Sequence, residues 1–271
     1  MFRKPLNTSI RKFVTQTHFG FKNVSEDKKS EMVGEVFKRV AGKYDLMNDI
    51  MSLGIHRHWK NKFVQKIGPL GGSFRLLDVA GGTGDVAFRF VNAAKLQKAY
   101  ASRVTILDIN EAMLKVGQER AKENGLHWSP ILEEWRVGDA EDLPFEDSTF
   151  DAYTIAFGIR NCTHIDKVLQ EAFRVLKPGG RFLCLELSSG AFSSFPPLFK
   201  RIYDQYSFQV VPILGQLFAA DRGSYQYLVE SIRKFPDQNR FSEMTRKVGF
   251  QNDSYENLFG GIAVLHSAYK I

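Results

Sequence analysis

The distribution of apolar residues divides the chain into segments of different period. After a leading stretch, Val33, Val36, Phe37, Val40, Ala41 and Tyr44 recur every third or fourth residue and predict an amphipathic helix. From Phe74 the pattern changes to short apolar runs, FRLLDVA, RVTILDI, ILEEWRV, FDAYTIAF and GRFLCLEL, separated by stretches of helical period. Near-continuous apolar strands alternating with helices predict a parallel sheet covered on both faces. In one connecting helix Ile165, Val168, Leu169, Ala172, Phe173 and Leu176 form the buried stripe. Thr163 to Asp166 reads as its capping box, which makes His164 a helix-entry residue, and Pro178, Gly179 and Gly180 end the helix.

Between Ser189 and Asn239 the alternation gives way to an aromatic-rich helical segment. Phe199, Ile202, Tyr203, Tyr206 and Val210 make one stripe there, and Leu214, Leu217 and Phe218 begin another. The chain closes with a helix through Phe241, Met244 and Val248, a stop at Gly249, and two strands near 253–258 and 262–269. Only the short Gly260–Gly261 turn joins those strands, so the last one runs antiparallel. The predicted architecture is α/β: seven strands, mostly parallel, with a helical preface over 25–70 and a helical insertion over 189–239 after the fifth strand.

A length of 271 residues and 44% hydrophobic composition are enough for a full core and exclude a disordered or low-complexity chain. No apolar run reaches the length of a membrane span. The net charge of +7 suggests a nucleic-acid partner until its location is considered. Arg3, Lys4, Arg11, Lys12 and Lys22 all precede the first acid, Glu26, and without them the charge is +2. No nucleic-acid partner is therefore expected. The acid-free leader, with Ser and Thr and with Phe2, Leu6, Ile10, Phe13 and Val14 among its bases, has the composition of a mitochondrial transit peptide over residues 1–24. The alternative is an ordinary frayed terminus. Cys162 and Cys184 form no metal-ligand pattern, and no metal site is predicted.

The sharpest local motif is LLDVAGGTGD, Leu76 to Asp85, in which a strand runs into glycines and then a helix. Such a loop brings backbone close to a ligand and offers free N–H groups at the helix start. Gly82, Gly84 and Ala87 also satisfy a dinucleotide fingerprint, so the loop alone leaves NAD open. Downstream residues favour S-adenosyl-L-methionine. Asp108 ends the second strand, where its carboxylate is placed to accept from ribose hydroxyls. Asp78 is placed to accept from a cationic ligand, and Asp139, with Gly138 and Ala140, from an adenine amino group.

With DVAGGTGD, VTILDIN, GDAEDLPF, FDAYTIAFG and LKPGGRFLCLE in order, the chain resembles a class I methyltransferase. YDLMNDIMSLGIHRHWK, FGIRN, RVLKPGGRFLCLELS, SYQYLVESIRKFPDQ and NLFGGIAVLH narrow this to the ubiquinone and menaquinone biosynthesis C-methyltransferase family. The leader is similar to that of its mitochondrial, ubiquinone-pathway branch. The resemblance runs from Thr17 to the C-terminus; Cys162, Ala156 and Phe259 depart from its usual residues. It implies C-methylation of a polyprenyl benzoquinol, with S-adenosyl-L-methionine held by Asp78, Gly81, Thr83, Gly84, Asp108, Asp139 and Ala140. It further implies a homodimer, a membrane-associated complex of ubiquinone-biosynthesis proteins, and a place on the matrix face of the mitochondrial inner membrane.

Methylating a ring carbon needs an electron-rich quinol held in line with the donor and an acceptor for the departing proton. Arg160 and Asn161, after the fourth strand, are candidates to stabilise the phenolate or orient substrate and water. Alternatively they form a surface ion pair and a helix cap. His56 is either the proton acceptor or part of a solvated basic turn with Arg57 and His58. Asp204 and Tyr203 are further candidates, and Cys184 reads as inert core. The aromatic segment and the preface suit a groove for an apolar tail. Three other readings stay open: a scaffolding subunit, an RNA methyltransferase of the same fold, and an NAD oxidoreductase.

Overall fold

A computed structural model describes residues 15–40, 48–49, 52, 54–191, 195–219 and 221–271. The leader residues before 15, and Ala41 and Tyr44 of the first predicted stripe, lie outside that set. Strands β1 (Gln16–Phe19) and β2 (Lys22–Ser25) form an antiparallel hairpin that leads directly into helix α1 (Glu26–Val40). The sequence-based leader boundary at 24 therefore falls inside folded chain. Phe19 explains why: its ring stacks on Tyr227 with centroids 4.0 Å apart, an anchor more than 200 positions away that no local pattern reveals. Helix α2 (Ile55–Gln65) completes the preface.

The main sheet contains β3 (Arg75–Val79), β4 (Arg103–Asp108), β5 (Leu132–Val137), β6 (Phe150–Ala156), β7 (Leu176–Leu187), β8 (Gln251–Leu258) and β9 (Ala263–Tyr269). Their spatial order is β5-β4-β3-β6-β7-β9-β8. Only β9 opposes its neighbours, pairing antiparallel with both β7 and β8, as the short final turn requires. Between the strands run α3 (Asp85–Leu96), α4 (Glu111–Glu123) and α5 (Ile165–Val175). The insertion supplies α6 (Pro197–Gln205), a π turn (Tyr206–Val210), α7 (Val211–Ala219) and α8 (Arg222–Lys234), and α9 (Gln238–Val248) follows.

Adjacent strand residues feed opposite layers. Leu76 packs with Phe63, Phe90 and Val91 on the α2–α3 side, while Leu77 packs with Val168, Leu169 and Phe241 on the α5–α9 side. Both leucines are fully buried, which is why the strand reads as an uninterrupted apolar run. The strand order reverses between β3 and β6, and such a switch opens a crevice at the carboxyl ends of the strands.

Two local expectations need correction. No capping box forms at α5: His164 occupies the cap position without a side-chain cap bond. Instead the Glu141 carboxylate accepts from the Thr163 and His164 N–H groups at 2.6 and 2.8 Å, a cap supplied by a distant loop. Nor do Pro178–Gly180 end that helix. It stops at Val175, and the Pro-Gly-Gly sits in the irregular start of β7, where the pairing register with β6 shifts.

Candidate active site

The crevice holds a cavity of about 340 Å³ at the ends of β3, β4 and β5. Its floor is the glycine loop. A Cβ on Gly81 would lie 2.6 Å from Ile106 and 3.1 Å from Asp78 Oδ2, so only glycine lets the loop cross there. Gly82 N–H donates to Asp108 at 2.9 Å and pins the loop to β4. Gly84, at φ 80°, starts α3 and leaves room for Trp135, which a Cβ would meet at 2.7 Å. Its part is packing beneath the loop; Gly81, Gly82 and Thr83 line the cavity. The Thr83 hydroxyl accepts from Arg120 at 2.7 Å.

Asp78, Asp108 and Asp139 are among the carboxylates that line this space. Asp78 is 1% exposed; one oxygen accepts from the Thr154 hydroxyl at 2.9 Å, and the other, Oδ2, has no hydrogen-bond partner among the described residues. Burial pushes its pKa up to about 7, against the hydrogen bond from Thr154. Asp108 accepts from Gly82 and Asn110 N–H groups, one at each oxygen, which fixes the carboxylate plane and leaves a lone pair on each atom. Burial raises its pKa as well. Asp139 accepts from Glu141 N–H at 2.9 Å and lines the cavity beside Ala140. An orphaned buried carboxylate oxygen at one end and a fixed two-acceptor carboxylate further along fit a ligand with an ammonium group and a ribose. Among the described residues no cluster could hold a metal ion.

The sequence reading missed Lys60 and Asp85 in the same cavity wall. Lys60 is 5% exposed and lies 2.6 Å from Asp85, which also pairs with Arg89. Burial alone would raise the Asp85 pKa; Lys60 and Arg89 together bring it down to about 2, so Asp85 stays ionised. The recognisable signal was spacing, since Lys60 follows His56 by one helical turn and Asp85 closes the glycine motif.

A second cavity, about 500 Å³, lies between the preface and the insertion. Its walls are apolar, with Trp59, Leu187, Tyr225 and Ile232 among them, and its polar groups include His56, Arg160 and Asn161. Phe37, Phe157 and Asn161 line both cavities, so the two spaces meet there. Phe157 carries φ 58° at the end of β6, a backbone conformation uncommon for a non-glycine residue and held by its N–H bond to Leu185 O at 2.7 Å. Of the departures from the family pattern, Ala156 and Cys162 line the first cavity and Phe259 the second.

Arg160 and Asn161 belong to a short turn, Ile159–Asn161, that follows β6. Arg160 does not make a surface pair. Its guanidinium donates to Glu186 and to Phe157 O, both at 2.6 Å, and the side chains of Arg160 and Glu186 are 4% and 1% exposed. Burial raises the Glu186 pKa while Arg160 opposes that shift. Asn161 Oδ1 accepts from the Tyr227 hydroxyl at 3.0 Å, which orients its amide. His56 is buried, not solvated: Nε2 lies 2.8 Å from Asp49, and Nδ1 has no partner among the described residues. Glu186 and Asp49 were not singled out from the sequence. Asp204 pairs with Arg233 away from the cavity lining, whereas Tyr203 lines it with a phenol raised by burial. Cys184 is fully buried in β7.

The profile of the ubiE/COQ5 methyltransferase family matches residues 22–270. The chain belongs to the ubiE/COQ5 methyltransferase family. Among the relatives, the mitochondrial 2-methoxy-6-polyprenyl-1,4-benzoquinol methylase of Drosophila melanogaster is 54% identical, covering 94% of this chain and 85% of its own. The enzyme of the same name from Arabidopsis thaliana is 52% identical over 96% and 94%. A solved SAM-dependent methyltransferase from Thermotoga maritima matches with a TM-score of 0.60 at 18% identity, covering 88% of this chain and all (100%) of that one. At that identity the match establishes the shared fold of this ubiE/COQ5 member.

Proposed function

We propose that the chain transfers a methyl group from S-adenosyl-L-methionine to a ring carbon of 2-methoxy-6-polyprenyl-1,4-benzoquinol in ubiquinone biosynthesis. The observation that carries this is the pair of joined cavities, one lined by carboxylates and a glycine loop, the other apolar, with Asn161 and Phe157 at their junction. The relatives' names supply the substrate.

When bound, the cofactor would supply an electrophilic sulfonium methyl. Asp78 Oδ2 would hold its ammonium, Asp108 its ribose hydroxyls, and Asp139 its adenine amino group. A quinol hydroxyl has a pKa of about 10, so forming the phenolate near pH 7 costs about 4 kcal/mol without help. The hydroxyl proton passes to solvent water and is regained by the product; Arg160, always protonated, stabilises the phenolate in between, and Glu186 keeps its guanidinium in place. Asn161, oriented by Tyr227, holds the quinol oxygen. Once the ring carbon has gained its methyl, its hydrogen leaves as a proton. His56 Nδ1 takes that proton, and the C–H electron pair restores the aromatic ring.

The tail needs an apolar path. Phe199 and Ile202 line the second cavity yet are 49% and 57% exposed, so the cavity reaches the surface along α6. That surface continues through exposed Leu198, Ile213 and Leu217, with exposed Lys200 and Arg201 on the same helical segment. No helix among the described residues is long and apolar enough to cross a membrane. We place this face on the matrix side of the mitochondrial inner membrane, where an interfacial helix pair receives the tail. Calorimetric titration with S-adenosyl-L-methionine and, separately, NADH tests the cofactor half. Binding of the methyl donor alone, lost in Asp108→Ala, is the expected result; binding of NADH alone, or of neither, overturns the proposal.

A further inference from the structure

We infer that Asp49 is a positioning residue for the reaction: it holds His56 in the tautomer with its proton on Nε2, so that Nδ1 carries the basic lone pair. This rests on the reading of His56 as the proton acceptor.

The geometry determines the tautomer. Asp49 Oδ1 lies 2.8 Å from His56 Nε2. The same carboxylate is held by Arg57, whose Nε and Nη2 both donate to it. Those hydrogen bonds, with His56, hold the Asp49 carboxyl well below the usual carboxylate range despite partial burial, so it is ionised and accepts only. A contact of 2.8 Å to such an acceptor requires a proton on Nε2. A neutral imidazole has one ring proton, which leaves Nδ1 as the acceptor. Nδ1 is the atom with no partner among the described residues, on a residue that is 6% exposed and lines the cavity. Ser52 fixes the backbone side of the arrangement, accepting from His56 N–H and donating to Asn48 O.

The surroundings keep the ring neutral at rest. Burial, the largest influence, and Lys60 lower the His56 pKa, while Asp49 and Asp85 oppose them. Arg160 lines the same cavity, and Tyr203 and Tyr227 on α6 and α8 are phenols whose pKa values burial raises. When Nδ1 accepts the ring proton, the imidazolium lies against the Asp49 carboxylate, which stabilises it. The orientation and stabilisation parallel those of the aspartate in serine hydrolases.

The test uses the full chain with S-adenosyl-L-methionine and a short-tailed quinol. Asp49→Asn keeps the shape but removes the anionic acceptor. It should lower kcat on the order of 100-fold, with KM and cofactor affinity within about twofold. The acid limb of its kcat profile should move to lower pH, because a group that raises the His56 pKa is gone. Asp49→Glu should recover part of the rate, and adding Asp49→Asn to His56→Ala should cost nothing further. If His56→Ala is inactive but Asp49→Asn keeps the native rate and profile, the inference is overturned and the role of His56 stands. Full activity in His56→Ala overturns both. Should Asp49→Asn fail to bind cofactor, Arg57→Gln reaches the same carboxylate from its exposed side; it should lower kcat in the same direction, and a native profile there also overturns the inference.

Discussion

Replacing Asp78 by Asn should stabilise the protein and weaken its binding of cofactor. Asp78 is 1% exposed, and burial lifts its carboxyl from 3.8 to about 7. A folded-state pKa above the unfolded one means that the fold favours the neutral acid. Stability is therefore fully retained below about pH 4 and eroded as pH rises toward 7. With 1.36 kcal/mol per pKa unit, ionising Asp78 in the empty protein costs up to about 4 kcal/mol above pH 7. Asn keeps an oxygen for the Thr154 hydroxyl and cannot ionise, so the empty variant should gain most of that stability at pH 7.5 and little at pH 4. Urea denaturation at the two pH values measures it. Cofactor binding should show the opposite pattern. If the ammonium group needs an ionised Asp78, affinity in the native protein should be about eightfold weaker at pH 6 than at pH 7.5, given a pKa of about 7. The variant should bind weakly at both and lose that dependence. Native affinity independent of pH, or an Asn variant that binds as tightly as the native protein, would refute the reasoning.

Two further outcomes follow from the second cavity. Glu186→Gln leaves Arg160 as a buried cation without its counter-charge, which should cost about 3 kcal/mol of stability and most of kcat; a double variant with Arg160→Met should recover stability, measured in urea, but not turnover. Changing Leu198, Ile213 and Leu217 together to Ser removes exposed apolar surface along α6 and α7. It should weaken sedimentation with anionic vesicles and turnover of a long-tailed quinol, while a short-tailed quinol is turned over at the native rate.

What the sequence disclosed and what it hid differ in range. The strands were legible because residues such as Leu76 and Leu77 are buried on opposite faces of one sheet, which leaves a local apolar signature. Asp78, Asp108 and Arg160 were legible because each lies near or just past the carboxyl end of a strand, where the fold opens its crevice. The partners that give them their chemistry were not. Glu186 lies 26 positions from Arg160, and Lys60 lies 25 from Asp85, so each pairing exists only after the sheet and preface assemble. A surface ion pair was thus an open alternative for Arg160. The expected capping box at Thr163 failed for the same reason, since Glu141 reaches that helix start across 22 positions. Asp49 is a subtler case. It is close to His56 in sequence, yet Arg57 and His58 beside it made a solvated basic turn equally plausible until burial was known.

The central claim is tested most directly by the fate of the methyl group. The full chain would be incubated with S-adenosyl-L-methionine carrying a carbon-13 methyl and with a short-tailed 2-methoxy-6-polyprenyl-1,4-benzoquinol, and the product examined by NMR. The account predicts a carbon-13 methyl bonded to a ring carbon, formed by the native protein and lost in Arg160→Ala. A label on a quinol oxygen, or no transfer from a protein that binds both ligands, would contradict it.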